Sequence, residues 1–333
     1  MAYTTIDDPS AYFKVQLYTG NGSSRSITFD DTDTNMQPDL IWIKGRSETV
    51  NHVLFDSVRG AQKEINSDLN EAEETQAQMV TSFDSDGFGM GTSGGSNSNT
   101  ITYVAWCWKE SADAGFDIVS WSGTGSAKTE SHSLSAVPHF MFSKNRADST
   151  NWAVYHHKNT AAPETEIFYL NLTSATADDN AFWNDTAPTS SVFSVGADNG
   201  ANGSSDAMIT YLFSEKQGFS KFGSFSANNN ADGPFIYTGF RPAWLGMKRT
   251  DSTENWYQND NKRDPFNPVD GKLLLLNKSD AEISTSYPVD FLANGFKIRG
   301  ANNITNASGG SYVYMAFAEA PFVNSNGVPG NAR

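Results

Sequence analysis

Pro38-Asp-Leu-Ile-Trp-Ile-Lys44, Pro138-His-Phe-Met-Phe-Ser-Lys144 and Pro242-Ala-Trp-Leu-Gly-Met-Lys248 are three versions of one string: a proline, an apolar run of strand length and a lysine. The prolines stand 100 and 104 residues apart. Fourteen residues beyond each proline comes a ring residue preceded by asparagine: Asn51-His52, Asn151-Trp152 and Asn255-Trp256. A fixed offset repeated three times marks an internal repeat, which takes precedence over any local feature.

Working outward, each copy closes on an aromatic strand ending in glutamate: Tyr103-Val-Ala-Trp-Cys-Trp-Lys-Glu110, Met208-Ile-Thr-Tyr-Leu-Phe-Ser-Glu215 and Tyr312-Val-Tyr-Met-Ala-Phe-Ala-Glu319. Each copy opens on a strand running into small turn residues: Leu17-Tyr-Thr-Gly-Asn-Gly22, Ser120-Trp-Ser-Gly-Thr-Gly125 and Ser224-Phe-Ser-Ala-Asn228. Between these lie Asp86-Gly-Phe88, Val192-Phe193 and Asn294-Gly-Phe296, each followed by a Gly/Asn/Ser loop. Many short strands bounded by turn signals predict an all-β chain of three tandem, diverged β-sandwich modules of the jelly-roll or lectin-like kind. The boundaries read 1–112, 113–217 and 218–333, the last carrying a C-terminal tail over Asn324–Arg333. In the closing strand Trp106 and Trp108 point one way, Ala105 and Cys107 the other. Such a strand needs two covers, one from the facing sheet and one from a neighbouring module. The spacers at 111–115 and 216–218 are too short for beads on a string, which predicts one compact body. Glu64–Met79, rich in Ala and Glu, reads as a loop or short helix.

Lys and Arg total 23 against 38 Asp and Glu, a formal charge of −15. That balance repels phosphate backbones and anionic lipid, so neither nucleic acid nor membrane insertion is expected. Cys107 is the only cysteine, so no disulfide forms within the chain. Its counterparts Leu212 and Ala316 make it a core filler. The N-terminus carries no basic region followed by a long apolar segment, which reads as a soluble protein without a signal peptide.

Several strings imitate chemistry. Gly89-Met-Gly91-Thr-Ser-Gly94 spells a dinucleotide fingerprint, but the strand-to-helix context that lets a helix N-terminus meet a pyrophosphate is not expected here. Gly91-Thr-Ser93-Gly-Gly95 matches a nucleophile elbow with no His/Asp partner order. His156-His157 alternate across a strand and fall short of the three or four ligands a transition metal takes. Asp30-Asp31-Thr-Asp33 and Asp84-Ser-Asp86-Gly87 offer oxygen ligands for calcium without a complete EF-hand loop, so they read as solvated turns and no cofactor is assigned beyond possible calcium. Glu110, Glu215 and Glu319 recur once per copy, a structural pattern rather than an acid–base pair, and salt bridges to Lys44, Lys144 and Lys248 are expected. No catalytic residue is assigned and the chain reads as a non-enzyme. Trp183, with Asn184 and Asp185, sits among polar turn formers; its ring either packs under its own loop or offers a face for sugar stacking.

The first of the proline strings, Phe55-Asp-Ser-Val-Arg-Gly60, Phe83-Asp-Ser-Asp-Gly-Phe88, Tyr103-Val-Ala-Trp-Cys-Trp108, Phe182-Trp-Asn-Asp-Thr-Ala-Pro-Thr189 and Asp232-Gly-Pro-Phe-Ile-Tyr-Thr-Gly-Phe-Arg-Pro242 together resemble repeat-bearing proteins of marine tailed bacteriophages. Those proteins look like tail-fibre or other virion surface proteins and are likened to concanavalin-A-type lectin sandwiches. The resemblance implies a structural protein on the virion surface, made in the host cytoplasm, with other virion proteins and host cell-surface polysaccharide as partners. It would be present as a homo-oligomer or in many copies per particle. The alternatives carried with it are a capsid decoration or head-fibre protein and, from another class, a glycan-degrading enzyme.

Overall fold

Apolar side chains on both faces of the closing strands need two apolar covers, and both are present in the structure, a computed structural model that describes residues 2–31, 34–269, 272–284 and 287–330. The chain first forms β1 (Phe13–Thr19), β2 (Arg25–Thr28), β3 (Leu40–Gly45), β4 (Val53–Asp56), β5 (Lys63–Asn66), β6 (Glu74–Thr75), β7 (Val80–Asp84), β8 (Gly87–Met90), the single turn α1 (Gly94–Asn97) and β9 (Thr102–Trp108). It continues through β10 (Phe116–Ser122), β11 (Lys128–Ser131), β12 (Phe140–Asn145), β13 (Ala153–His156), β14 (Glu166–Tyr169), β15 (Ala177–Asp178), α2 (Asn180–Trp183), β16 (Val192–Val195), α3 (Asn199–Asn202) and β17 (Ala207–Phe213). It ends with β18 (Ser220–Ser226), β19 (Phe235–Tyr237), β20 (Phe240–Arg249), β21 (Tyr257–Asp260), β22 (Leu274–Leu275), β23 (Val289–Leu292), β24 (Gly295–Ile298), α4 (Asn303–Asn306) and β25 (Ser311–Pro321).

The fold is all-β and its strand pairings are antiparallel. Three large sheets follow one order: β1-β9-β3-β4-β5-β6, β10-β17-β12-β13-β14-β15 and β18-β25-β20-β21-β22. Three small sheets accompany them: β2-β8-β7, β11-β16 and β19-β24-β23. The outer face of the first large sheet (Ile41, Phe55, Tyr103) buries against Ile27, Phe88 and Met90 of its small sheet. The second does the same, Met141, Tyr155 and Leu212 meeting Phe193 and Val195.

The inner faces of all three large sheets share one core. At its centre Trp108, Phe213 and Phe317, one from each closing strand, form a triangle with ring centroids 6.4, 5.5 and 5.7 Å apart. Edge-on aromatic pairs at such distances add about 0.5–1.5 kcal/mol each beyond area burial. Neighbouring sheets are also tied by bonds that recur in a cycle. The indole N–H of Trp152 donates to the Asn66 carbonyl of the first sheet at 2.8 Å, and that of Trp256 to the Tyr169 carbonyl of the second at 2.9 Å. His52 Nε2 completes the ring on the Leu275 carbonyl of the third at 3.1 Å. Trp42 donates to His52 Nδ1, so the ring proton sits on Nε2, and burial holds the imidazole neutral with its pKa well below the usual value. A second cycle runs through main chain: Glu73 N to Arg146 O, Thr176 N to Thr250 O and Glu282 N to Arg46 O, at 2.9, 2.9 and 2.7 Å.

Two expectations are corrected. Lys44 does not pair with Glu110, because the antiparallel register sets Leu40 opposite Trp108 and Lys44 opposite Val104, leaving the two charges at opposite ends of the sheet. The Lys44 ammonium instead donates to the carbonyls of Gly45 and Ser279, Lys144 to those of Asn145 and Asp148, and Lys248 to those of Glu254 and Thr173. Burial pulls each lysine down to a pKa of about 8. Glu215 and Glu319 find other cations, Lys221 at 2.5 Å and Arg241 at 3.0 Å. The Glu64–Met79 stretch is neither loop nor helix throughout: it contains β6 and most of β5, whose Ile65 is buried against β4, so pairing overrides composition. The tail is tied down at Ser325, whose amide donates to Asp7 at 2.6 Å; residues 331–333 lie outside the described residues.

Candidate functional site

Trp183 ends the single turn α2, begun by Asp179, whose carboxylate accepts the Ala181 N–H. Its ring is 1% exposed and packs edge-on to Tyr155 at 5.9 Å. The stacking face offered by the sequence is therefore inside the outer core of the second sheet, and only Asn184 and Asp185, both at positive φ, reach solvent.

The other sequence candidates are spread out. Gly89 and Met90 end β8 and lead into a helix of one turn, too short for a dinucleotide site. Asp84 accepts from Ser82 of the same strand and Asp86 from the Met36 amide, and Asp33 lies outside the described residues. Cys107 is buried, with its thiol pKa pushed well up. His156 is buried and held by the Tyr314 carbonyl at 3.1 Å; His157 meets the Phe222 carbonyl at 2.7 Å. Among the described residues no group of three His, Cys, Asp or Glu is arranged to hold a metal ion.

Chemically distinctive groups instead gather where one large sheet meets the opening strand of the next. Ser57, His157 and Asn261 each donate a main-chain N–H at 2.9 Å, to Asp39, His139 and Ala243 respectively, so these pairs occupy equivalent places. Each place also holds a closing glutamate and one residue of the neighbour's opening strand: Asp117, Lys221 or Lys14, fixed by the registers Phe116↔Phe213, Ser220↔Phe317 and Phe13↔Trp108.

The three junctions differ. In the first, Asp39 accepts from Ser57 Oγ and the Glu110 amide, both at 2.8 Å, while Glu110 hydrogen bonds to Asp117. Burial first, then Asp117 and Asp39, raises the Glu110 carboxyl to about 7. In the second, the His139 and His157 rings lie edge-on at 4.4 Å beside the Glu215–Lys221 pair. In the third, Ala243 and Asn261 stand where those imidazoles are, and a cleft of about 410 Å³ opens. Phe13, Val15 and Ala318 give it an apolar wall. Asn261 donates to Glu319 at 2.6 Å, and Lys14 reaches Asp31 at 2.5 Å. Pro265 lines the cleft, and its neighbour Phe266 is 79% exposed.

Residues 8–321 match the family described as Domain of unknown function (DUF7483). The chain belongs to that family. The DUF7483 match takes in all three large sheets and the whole of this cleft. No curated protein matches the chain.

Sequence reasoning missed the cleft because it is made by departures from the repeat. It also missed Asn97, Asn202 and Asn306, although each stands thirteen residues before a closing glutamate. All three are buried, and each amide donates to two loop carbonyls: Ser23 and Gly91, Ser126 and Gly196, Asn230 and Gly300. They pin the glycine loops of this DUF7483 chain in place.

Proposed function

We propose that this chain is a non-enzymatic structural protein of the exterior of a tailed-phage particle, a tail-fibre or receptor-binding component that meets host-surface glycans. It is built of three tandem sandwich modules closed about a pseudo-threefold axis. The observation that carries this reading is the cyclic closure: the same cross-sheet bonds recur from first to third, second to first and third to second sheet. One chain thereby presents the outline of a trimer, a shape suited to the threefold axis of a fibre. The phage resemblance of the repeated strings points the same way. The pseudo-threefold outline equally suits a threefold position on a capsid, which keeps decoration as the second reading.

Against turnover stands the first junction, where the raised Glu110 carboxyl bonds directly to Asp117. A glycosidase holds its two carboxyl groups about 5–9.5 Å apart, with the sugar between them.

Two measurements test the reading. Gold-labelled antibody on particles locates the chain on tail or capsid; absence from the particle overturns the virion assignment. Incubation with host polysaccharide, followed for reducing ends and for retention on immobilised glycan, is expected to give retention without cleavage. New reducing ends would replace the binding reading with the enzyme.

A further inference from the structure

We propose that the cleft between the third and first large sheets binds one uncharged, hydroxyl-rich sugar residue of hexose size. This deepens, and rests on, the glycan-contact reading above, and moves the contact from the buried Trp183 to a site that nothing in the sequence pattern singled out.

Three observations converge. The first is space. Compared with the second junction the third exchanges two imidazoles for the methyl of Ala243 and the amide of Asn261, and its cleft of about 410 Å³ falls within the roughly 300–1,000 Å³ usual for small-ligand sites. The second is charge. Among the described residues each cation lining the cleft has an anion beside it, Lys14 with Asp31 at 2.5 Å and Lys262 with Asp30 at 3.5 Å, and the lining Glu319 is held by Arg241 at 3.0 Å. A charged ligand would have to break one of these pairs, whereas hydroxyl groups can both donate to paired carboxylates and accept from paired ammonium or amide groups. The third is the combination of surfaces. A pyranose has one face of C–H bonds and a rim of hydroxyls; here Phe13, Val15 and Ala318 supply carbon, and the Asn261 amide and the Glu319 carboxylate lie beside it. Lys262, which lines the cleft and whose side chain is 45% exposed, adds an ammonium group at the edge.

The test uses the full chain and saturation-transfer NMR with the methyl glycosides of glucose, galactose and mannose, with glucuronic acid and glucosamine as charged comparators. Ala243→His writes the second junction's residue into the third and fills the cleft. Lys262→Ala removes a lining side chain at a position exposed enough to leave folding intact. At least one neutral glycoside is expected to bind the native chain, with affinity about tenfold lower in each variant and unchanged in Trp183→Phe. Equal binding by native chain and both variants would overturn the cleft while leaving glycan contact elsewhere. Preference for a charged sugar would overturn the ligand class. No binding of any of the five probes would overturn the cleft, and retention on host polysaccharide would still decide the wider reading separately. Should Ala243→His fail to fold, Lys262→Ala alone decides.

Discussion

The Tyr211 hydroxyl donates to Oδ2 of Asp56 at 2.6 Å, joining the second large sheet to the first across 155 residues of sequence. Asp56 is fully buried and also holds Arg59; Arg59 reaches Glu73, and Glu73 accepts from Arg146 of the second sheet at 2.7 and 3.0 Å. The same chain is built between the third and first sheets: Trp106 donates to Asp260, which holds Arg263, which meets Glu282, which accepts from Arg46. Between the second and third sheets the corresponding places carry His156, Asn159, Thr176 and Thr250, joined without a formal charge: Thr176 donates to Asn159 at 2.8 Å and to the Thr250 carbonyl at 2.9 Å. In this chain of contacts two of the three links are ionic and one is neutral.

Removing the Tyr211 hydroxyl leaves Asp56 one donor short in a dry site. Tyr211→Phe is expected to cost about 1–3 kcal/mol. Asp56→Asn, which strips the buried Arg59 of its nearest counter-charge, should cost about 3–5 kcal/mol. Urea unfolding measures both; a loss well below about 1 kcal/mol in either would show that the sheet junction does not depend on this network.

Glu110 makes the first junction sensitive to pH. Its carboxyl is raised from 4.5 to about 7, so between those values the folded chain keeps a proton that the unfolded chain has lost. The stabilisation is complete below about 4.5 and disappears as the pH rises through about 7. Glu110→Gln keeps the uncharged form throughout. The melting temperature of the variant minus that of the native chain should climb from pH 4.5 to pH 7 and level off above; a difference independent of pH refutes the assignment.

His156 acts in the opposite sense. Burial lowers its pKa to about 3, so as the pH falls below 6.5 the unfolded imidazole takes up a proton that the folded one refuses. Stability is lost through that window. In His156→Gln the loss of melting temperature between about pH 6.5 and pH 4 should be smaller than in the native chain, and equal slopes would count against it.

Trp183 is a core residue of the second sheet's outer layer. Trp183→Ala should cost about 3–5 kcal/mol, whereas Trp183→Phe should leave any retention on glycan as it was. Loss of retention in a stably folded Trp183→Phe would return this loop to the candidate site.

The all-β class was legible because strand-length apolar runs and turn residues recur, and the proline-to-ring offset of fourteen was enough to set His52 in correspondence with Trp152 and Trp256. Partners were not legible. Lys44 and Glu110 recur together, but only the register of β3 on β9 reveals that they sit at opposite ends. Trp183 had two readings, and the choice depended on Tyr155, far from it along the chain, forming its cover. The cleft depends on what Ala243 and Asn261 lack relative to His139 and His157, and missing volume has no spelling of its own. The signal available was that the residue following the proline differs in all three strings, Asp39, His139 and Ala243, and is smallest in the third.

The aromatic triangle of Trp108, Phe213 and Phe317 sets a limit on how such a chain can evolve. In an open solenoid each repeat touches only its neighbours, so copies can be gained or lost one at a time. Here the three closing strands meet at one centre and the cross-sheet bonds return to their starting point, so a chain with one segment deleted would leave two aromatic faces open to water, and one with a fourth would have nowhere to seat its Phe or Trp. Divergence is then confined to exchanging side chains within a fixed number of sheets, as at the junctions, where Asp39, His139 and Ala243 occupy equivalent places.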